Sequence, residues 1–267
     1  MDVQDLRKEI VDLINIKGKI TFADYMELAL YHPEYGYYTS GKEKIGKRGD
    51  YYTSSDVHSV FGELIARQLE QMWRLLGSNR FTVVEIGAGK GWLCHDILNH
   101  IKNEYPEFFE KIDYKIVEIS RDLIERQSDT LKGFEEKVSW ESFSEDGFSF
   151  SQIEGCFLSN EFVDSLSVHQ VIVEDNCLKE IYVTTTDGVL CEKIDELSNP
   201  ELENYFKELN INLKDGQRVE VNLKALDWVE NISCHLNRGF VVTIDYGHLA
   251  KELYSEERCR GTLMCYF

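Results

Sequence analysis

Apolar side chains recur at helical spacing through the first part of the chain. Residues 3–16 and 21–31 carry them every three or four positions, which predicts two short helices, the second with Thr21 as its N-cap. A longer amphipathic helix is predicted over residues 57–76. Residues 32–56 lie between these helices, are rich in tyrosine and glycine, and show no periodicity, which is typical of an ordered binding loop.

From residue 81 onward, short apolar runs alternate with helical stretches, which predicts a parallel sheet covered by helices. Strands are expected at 81–86, 114–119, 137–141, 155–159 and 239–247, and helices at 91–103, 121–132 and 222–236. The rhythm breaks at 168–194, where three β-prone runs separated by turn residues predict an antiparallel meander. A polar helix near 200–210 and a short strand at 217–221 follow it. The fold class is therefore α/β.

The composition is that of a globular enzyme with a strongly acidic balance. Lysine and arginine total 29 against 48 acidic residues, for a net charge of −19. Phosphate binding needs a cationic face, so neither nucleic acid nor an anionic membrane is an expected partner.

Seven cysteines and seven histidines show no metal-ligand spacing, so we expect reduced thiols and no metal. No apolar run approaches the roughly 20 residues of a membrane span, and the N-terminus resembles no targeting signal, so the expected location is the cytoplasm.

The segment VVEIGAGKG is the strongest chemical signal, because an apolar strand runs into a glycine-rich turn and then a helix. Such a turn lets a ligand approach the main chain, and the helix directs free amides at it. The three glycines are Gly87, Gly89 and Gly91, and an acid, Glu85, precedes them. A dinucleotide fingerprint would need a glycine at position 92, where Trp92 stands, and a Walker loop would need a GK[ST] motif, which is absent. The spacing instead favours the cofactor loop of a methyltransferase, with a tight turn that binds nothing as the alternative.

Two further residues follow neighbouring strands at the expected cofactor edge. Glu118 ends the next strand, where a carboxylate can accept both hydroxyls of an adenosine ribose. Trp140 ends the third strand, where its indole could stack on adenine, although a core tryptophan fits equally well. An exposed acid at a strand end is the alternative for Glu118.

Asn160, Glu161 and Asp164 form a polar cluster after the fourth strand, in SNEFVDSL. Acids at this edge could hold a cationic acceptor such as a guanidinium and orient its nitrogen toward the methyl donor. A helix N-terminus capped by Asn160 is the alternative. Asp245 and Tyr246, after the last strand, could close the pocket.

The chain resembles the MidA-like methyltransferase family, which includes the mitochondrial complex I assembly methyltransferase. The match lies in FADYMELALYHPEYGYY, GDYYTSSDVHSVFGELIARQLEQMW, VVEIGAGKGWLCHDIL, VEISRDLIERQ, SNEFVDSLSVHQ and GFVVTIDYGH. The resemblance implies a Rossmann-like class I methyltransferase sheet, with a helical cap over residues 1–78 and a domain over 79–267 that carries a β-rich insertion at about 167–216. It also implies S-adenosyl-L-methionine as cofactor, a protein arginine of the kind found in respiratory-complex subunits as acceptor, and a cofactor loop that includes Gly49, Asp50, Thr53 and Ser54.

The chain departs from the family pattern in two ways. Ala88 and Lys90 stand where the family usually has proline and arginine. Family members also continue past the equivalent of Phe267 into segments that complete the sheet, so we expect C-terminal strands to be missing. Two alternatives remain: a scaffold that binds the cofactor without turnover, and an NAD-dependent dehydrogenase, which Trp92 disfavours.

Overall fold

A computed structural model of the chain describes residues 3–39, 58–144 and 147–264. These residues form two compact units. An antiparallel unit comprises the described residues of 1–40, 165–227 and 246–267, and a parallel unit comprises those of 41–164 and 228–245. The chain therefore passes twice from the antiparallel unit into the parallel unit and back, since residues 165–227 of the antiparallel unit separate the two segments of the parallel unit.

The described residues contain nine α-helices and twelve strands, numbered in chain order. The helices are α1 Val3–Lys17, α2 Phe22–Tyr31, α3 Val60–Leu75, α4 Trp92–Glu104, α5 Pro106–Lys111, α6 Arg121–Thr130, α7 Glu201–Leu209, α8 Leu223–His235 and α9 Ala250–Leu253. The strands are β1 Ile20–Thr21, β2 Phe81–Ile86, β3 Ile112–Val117, β4 Val138–Glu141, β5 Phe143–Ser144, β6 Gly147–Phe148, β7 Ile153–Asn160, β8 His169–Glu174, β9 Cys177–Thr186, β10 Val189–Asp195, β11 Arg218–Val221 and β12 Leu236–Ile244.

The parallel unit is built on a five-stranded sheet in the order β12-β7-β2-β3-β4, with every neighbouring pair parallel. Side chains of β2 are buried on both faces, as a strand between two helical layers requires. One face packs against α3 and α4 around Phe81 and Tyr114. The other packs against the second half of α8 and the β5–β6 hairpin around Phe157 and Trp228. All carboxyl ends of the strands therefore meet at one edge.

The antiparallel unit holds β1, β9, β8 and β11 in that order, with β10 also paired to β9. Helix α2 begins with a capping box, in which the Thr21 hydroxyl accepts from the Asp24 amide at 3.0 Å and Asp24 accepts from the Thr21 amide at 3.3 Å. Helices α1 and α7 contribute to its two apolar clusters, around Ile14 and Phe206.

The predicted α/β alternation and the antiparallel meander are confirmed, with element ends shifted by at most three residues. The structure adds helix α5 and the β5–β6 hairpin, which are too short to create a periodic pattern. Helix α3 belongs with the parallel sheet, whereas the predicted division at residue 78 grouped it with the first two helices. That division stays a prediction about domain organisation. No helix in the described ranges is long and apolar enough to cross a membrane.

Candidate cofactor and acceptor site

The glycine loop connects β2 to α4 at the carboxyl edge of the sheet. Gly87, Gly89 and Gly91 have φ values of 71°, 55° and 82°, a region that side chains other than glycine rarely adopt. The Gly91 amide donates to the Ala88 carbonyl at 2.9 Å, which closes the turn just before the helix. A Cβ on Gly87 would lie 3.1 Å from the ring of Phe162, so the main chain also runs close to the segment after β7.

Glu118 directly follows β3, and its carboxylate has a fixed orientation. Oε1 accepts from the amides of Ile119 and Ser120, both at 2.9 Å, and Oε2 accepts from the Gln127 side chain at 3.2 Å. Burial raises the pKa of Glu118, although these three hydrogen bonds act in the opposite direction. Each carboxylate oxygen can accept more than one hydrogen bond, so the group can still receive ligand hydroxyls.

Gln127, on α6, joins the predicted cofactor residues and was not predicted. Its Nε2 donates to the Gly89 carbonyl at 2.8 Å as well as to Glu118, and its Oε1 accepts from Trp140 Nε1 at 2.8 Å. One amide thus connects the glycine loop, the acid after β3 and the tryptophan of β4. The sequence held a signal: a polar residue stands in the apolar stripe of α6, between Ile124 and Leu131.

Glu85 occupies a different position from the other predicted cofactor residues. Its side chain is 2% exposed and lies among the apolar residues between the sheet and α4, where it accepts a hydrogen bond from the Tyr114 hydroxyl at 2.6 Å. Burial raises the pKa of Glu85 to about 7, even though the hydrogen bond from Tyr114 lowers it. The structure therefore does not bring this carboxyl group to the surface of the glycine loop.

Asn160, Glu161 and Asp164 lie in and just after the end of β7, beside the glycine-loop strand, because Ser159 pairs with Ile86. Glu161 adopts a left-handed conformation with φ of 49°, and its amide donates to the Ile244 carbonyl of β12 at 2.8 Å. Asn160 Oδ1 is buried and has no hydrogen-bond partner within the described part of the chain. A carbonyl oxygen in that situation is an acceptor that a ligand N–H could satisfy.

Asp245 organises the segment that follows. Its Oδ2 accepts from the Val163 amide at 2.7 Å and the Asp164 amide at 3.3 Å, at the start of a short 3₁₀ helix, Val163–Ser165. The alternative in which Asn160 caps a helix is therefore wrong, because the oxygen on these amides comes from Asp245. The side chain of Tyr246 is exposed.

The remaining predicted cofactor residues, Gly49, Asp50, Thr53 and Ser54, lie outside the described residues. In the portion of the chain that the structure does describe, no group of three or more His, Cys, Asp or Glu side chains is arranged to hold a metal ion.

The residues at this edge fit an adenosine cofactor with a charged tail. The glycines of the loop have no side chains to cover its main chain, α4 begins directly after the loop at Trp92, where a helix N-terminus favours a charged group, and Glu118 has a fixed carboxylate after the next strand. This combination, on a parallel five-stranded sheet, is typical of a nucleotide-type cofactor site.

The sequence profile of a family described as "Putative S-adenosyl-L-methionine-dependent methyltransferase" matches residues 64–267, well over half of the chain. The chain belongs to this family, and the cofactor of the family is S-adenosyl-L-methionine. The resemblance to MidA-like methyltransferases is thereby confirmed.

Two curated relatives that match this chain are both named mitochondrial protein arginine methyltransferases. The mitochondrial protein arginine methyltransferase NDUFAF7 homolog of Caenorhabditis elegans is 28% identical over 91% of this chain and 62% of its own length. Human mitochondrial protein arginine methyltransferase NDUFAF7 is 30% identical over 92% of this chain and 60% of its own. The chain thus spans about three fifths of the length of these relatives.

A solved structure shows the same fold. A crystal structure from Burkholderia thailandensis, bound to S-adenosyl-homocysteine, superposes with a TM-score of 0.87 at 28% identity, over 99% of this chain and 68% of that one. The predicted class I methyltransferase fold is therefore confirmed.

The expected cytoplasmic location is wrong, since the curated relatives of this chain are named mitochondrial. The expectation depended on the N-terminal sequence, on the lack of a long apolar run and on reduced cysteines, and the six described cysteines are indeed free thiols. Free thiols report a reducing environment, which does not identify one compartment.

Proposed function

We propose that this protein transfers the methyl group of S-adenosyl-L-methionine to an arginine side chain of a protein acceptor. The observation that carries the proposal is the adjacency of two loops at one sheet edge: the glycine loop after β2 and the acidic segment after β7, whose strands pair in register. The printed names of the relatives, which are protein arginine methyltransferases, support the acceptor class.

The cofactor half of the proposal assigns roles to the first loop and its neighbours. The glycine loop and the first turn of α4 would receive the amino-acid end of the cofactor, and Glu118 would accept the ribose hydroxyls. Trp140 would border the adenine, held by its hydrogen bond to Gln127. When bound, the cofactor supplies an electrophilic methyl group on its sulfonium.

The acceptor half rests on charge and geometry. Glu161 and Asp164 are carboxylates that can bind a guanidinium through paired hydrogen bonds, and Asn160 Oδ1 is a further acceptor for its N–H groups. The segment is anchored at two points by the end of β12, where the Ile244 carbonyl accepts from the Glu161 amide and Asp245 accepts from the amides of Val163 and Asp164. Fixed carboxylates can hold one guanidinium nitrogen toward the methyl group, and a carboxylate can take the proton which that nitrogen releases.

The test begins with transfer by the 267-residue protein itself. It is incubated with a protein extract and S-adenosyl-L-methionine labelled in the methyl group, and the labelled protein is hydrolysed to amino acids. We expect label in methylarginine. Binding of S-adenosyl-homocysteine without label in any protein would instead show a scaffold, and label in another amino acid would show that the acceptor assignment is wrong.

Substitutions in the acidic segment test the acceptor site separately. Glu161→Gln and Asp164→Asn are each expected to slow transfer by about 10- to 100-fold, the effect of a lost charged hydrogen bond, while S-adenosyl-homocysteine binding measured by calorimetry stays unchanged. Glu154→Gln is the matched control, because Glu154 is an exposed acid near the opposite end of β7. Equal effects of the control and the two site variants would contradict the assignment.

A further inference from the structure

The Gln127 side chain is buried with its amide saturated by specific partners. It is 0% exposed, both N–H groups donate, and its oxygen accepts from an indole. The backbone packs equally closely, since a Cβ on Gly91 would lie 3.4 to 3.5 Å from the Gln127 Cα, Cβ and Cγ atoms. Helix α6 therefore contacts the glycine loop directly through Gln127.

Only an amide can make this set of contacts. The Gly89 carbonyl and the Glu118 carboxylate both need a donor, while the Trp140 indole needs an acceptor. A carboxylate at position 127 would offer no donor when ionised and would face Glu118 with like charge. An apolar side chain would leave three partly buried polar groups without this partner.

We propose that Gln127 is a positioning residue for the cofactor: it holds the glycine loop, the carboxylate of Glu118 and the indole of Trp140 in one binding arrangement. This inference rests on the proposed cofactor site, and it assigns to Gln127 no contact with the cofactor itself. Its contribution is preorganisation, because groups already held in the bound geometry lose less freedom when the ligand binds.

A buried glutamine with a purely structural role provides the matched control. Gln217, in the antiparallel unit, is 2% exposed, and its amide donates to the carbonyls of Tyr254 and Ser255 at 3.1 Å while accepting from the Lys214 amide at 3.0 Å. Gln217→Met and Gln127→Met remove the same number of hydrogen bonds at a similar volume. Both are expected to lower the thermal midpoint, but only the second should weaken cofactor binding.

The experiment titrates S-adenosyl-homocysteine into each folded variant of the full chain by calorimetry. We expect Gln127→Met to weaken binding by about 10- to 100-fold and Gln217→Met to change it less than about twofold. In the Glu118→Gln background, Gln127→Met should add much less than it does alone, because the two residues act as one unit. Additive effects, or an unchanged affinity of Gln127→Met, would overturn the proposal.

A second readout uses pH and does not depend on the folding of Gln127→Met. In Gln127→Glu, two carboxyl groups would lie within hydrogen-bond distance and share a proton at low pH. Its affinity relative to the wild type should recover as the pH falls from about 8 to about 6, and a constant ratio would contradict the positioning role. If the wild type itself fails to bind, the proposed function and this inference both fall; if the wild type binds and the Gln127 variants match it, only this inference falls.

Discussion

Glu85 is an acid at a position where the sheet otherwise buries apolar side chains. In the described structure, the Tyr114 hydroxyl donates to its carboxyl group at 2.6 Å, and the Cys94 thiol lies close enough to be affected by its charge. Burial favours the neutral form, so the pKa of Glu85 rises to about 7. Its role is therefore tied to the stability of the strand that carries the glycine loop.

The first prediction concerns how stability varies with pH. The folded-state pKa of about 7 lies above the ordinary glutamate pKa of 4.5, so the folded state binds more protons between these values. The favourable contribution is complete below about 4.5 and is lost as the pH rises through about 7, with a total change of about 3 kcal/mol. Glu85→Gln should remove this dependence, as measured by urea unfolding at several pH values between 4.5 and 8.

Tyr114→Phe is the companion variant. It deletes the hydrogen bond that lowers the pKa of Glu85, so the loss of stability with rising pH should extend to higher pH and become larger in total. Parallel stability curves for the wild type and Glu85→Gln would contradict the assignment of this titration to Glu85.

At the scale of elements, the end of β12 sets the conformation of the segment after β7. Asp245 follows β12 and accepts from two successive amides, while the Ile244 carbonyl accepts from Glu161. The proposed acceptor residues are thus anchored by a strand that is distant from them in sequence. The glycine loop is formed separately, by β2 and α4.

The second prediction follows because different elements hold the acceptor segment and the glycine loop. Asp245→Ala should release the Val163 and Asp164 amides and slow methyl transfer by about tenfold or more, since small displacements of positioning groups are costly. Cofactor affinity should change less than about twofold. Transfer assays and calorimetry on the same preparation measure both quantities.

Asp215→Ala provides the comparison for a lost turn contact. Asp215 accepts from the Asn176 amide at 3.1 Å in the antiparallel unit, whereas both loops belong to the parallel unit. The Asp215→Ala variant should have a lower free energy of unfolding and an unchanged rate of methyl transfer. If Asp215→Ala lost as much methyl-transfer activity as Asp245→Ala, the effect of Asp245→Ala would be a consequence of lower overall stability.

At the scale of the whole molecule, the charge balance is the dominant feature. The chain carries 48 acidic and 29 basic side chains, so repulsion between acids opposes compactness. Ion pairs such as Lys207–Glu203 and Lys214–Glu256 are largely exposed and contribute little. Screening by salt should therefore relieve more repulsion than it removes attraction.

The third prediction is that salt stabilises this protein. Raising NaCl from about 0.02 M to about 0.5 M shortens the screening length to a few ångströms and should raise the thermal midpoint by about 2–4 °C. The double variant Glu174→Gln and Glu208→Gln, at two exposed acids, should show a smaller rise. A midpoint that falls with salt would show that attractive pairs outweigh the repulsion.

Much of the fold and half of the site could be predicted from the sequence. The strands β2, β3 and β7 are short, largely apolar runs, and the GxGxG spacing is local, so both can be recognised without knowing how the elements pack. The polar residues at the strand ends were found for the same reason, since parallel strands bring their carboxyl ends to one edge. The short elements α5 and β5–β6 are not predicted, because segments of so few residues are too short to show a hydrophobic periodicity.

Only the tertiary structure decided which of those residues act together. Glu85 and Glu118 both look like cofactor acids in the sequence, yet one side chain points into the core against Tyr114 and the other lies beside the glycine loop. Gln127 and Asp245 stand 38 and 82 positions from their partners Gly89 and Val163. Spacing along a chain determines which face of an element a side chain occupies, whereas hydrogen bonds between distant segments depend on how those elements pack.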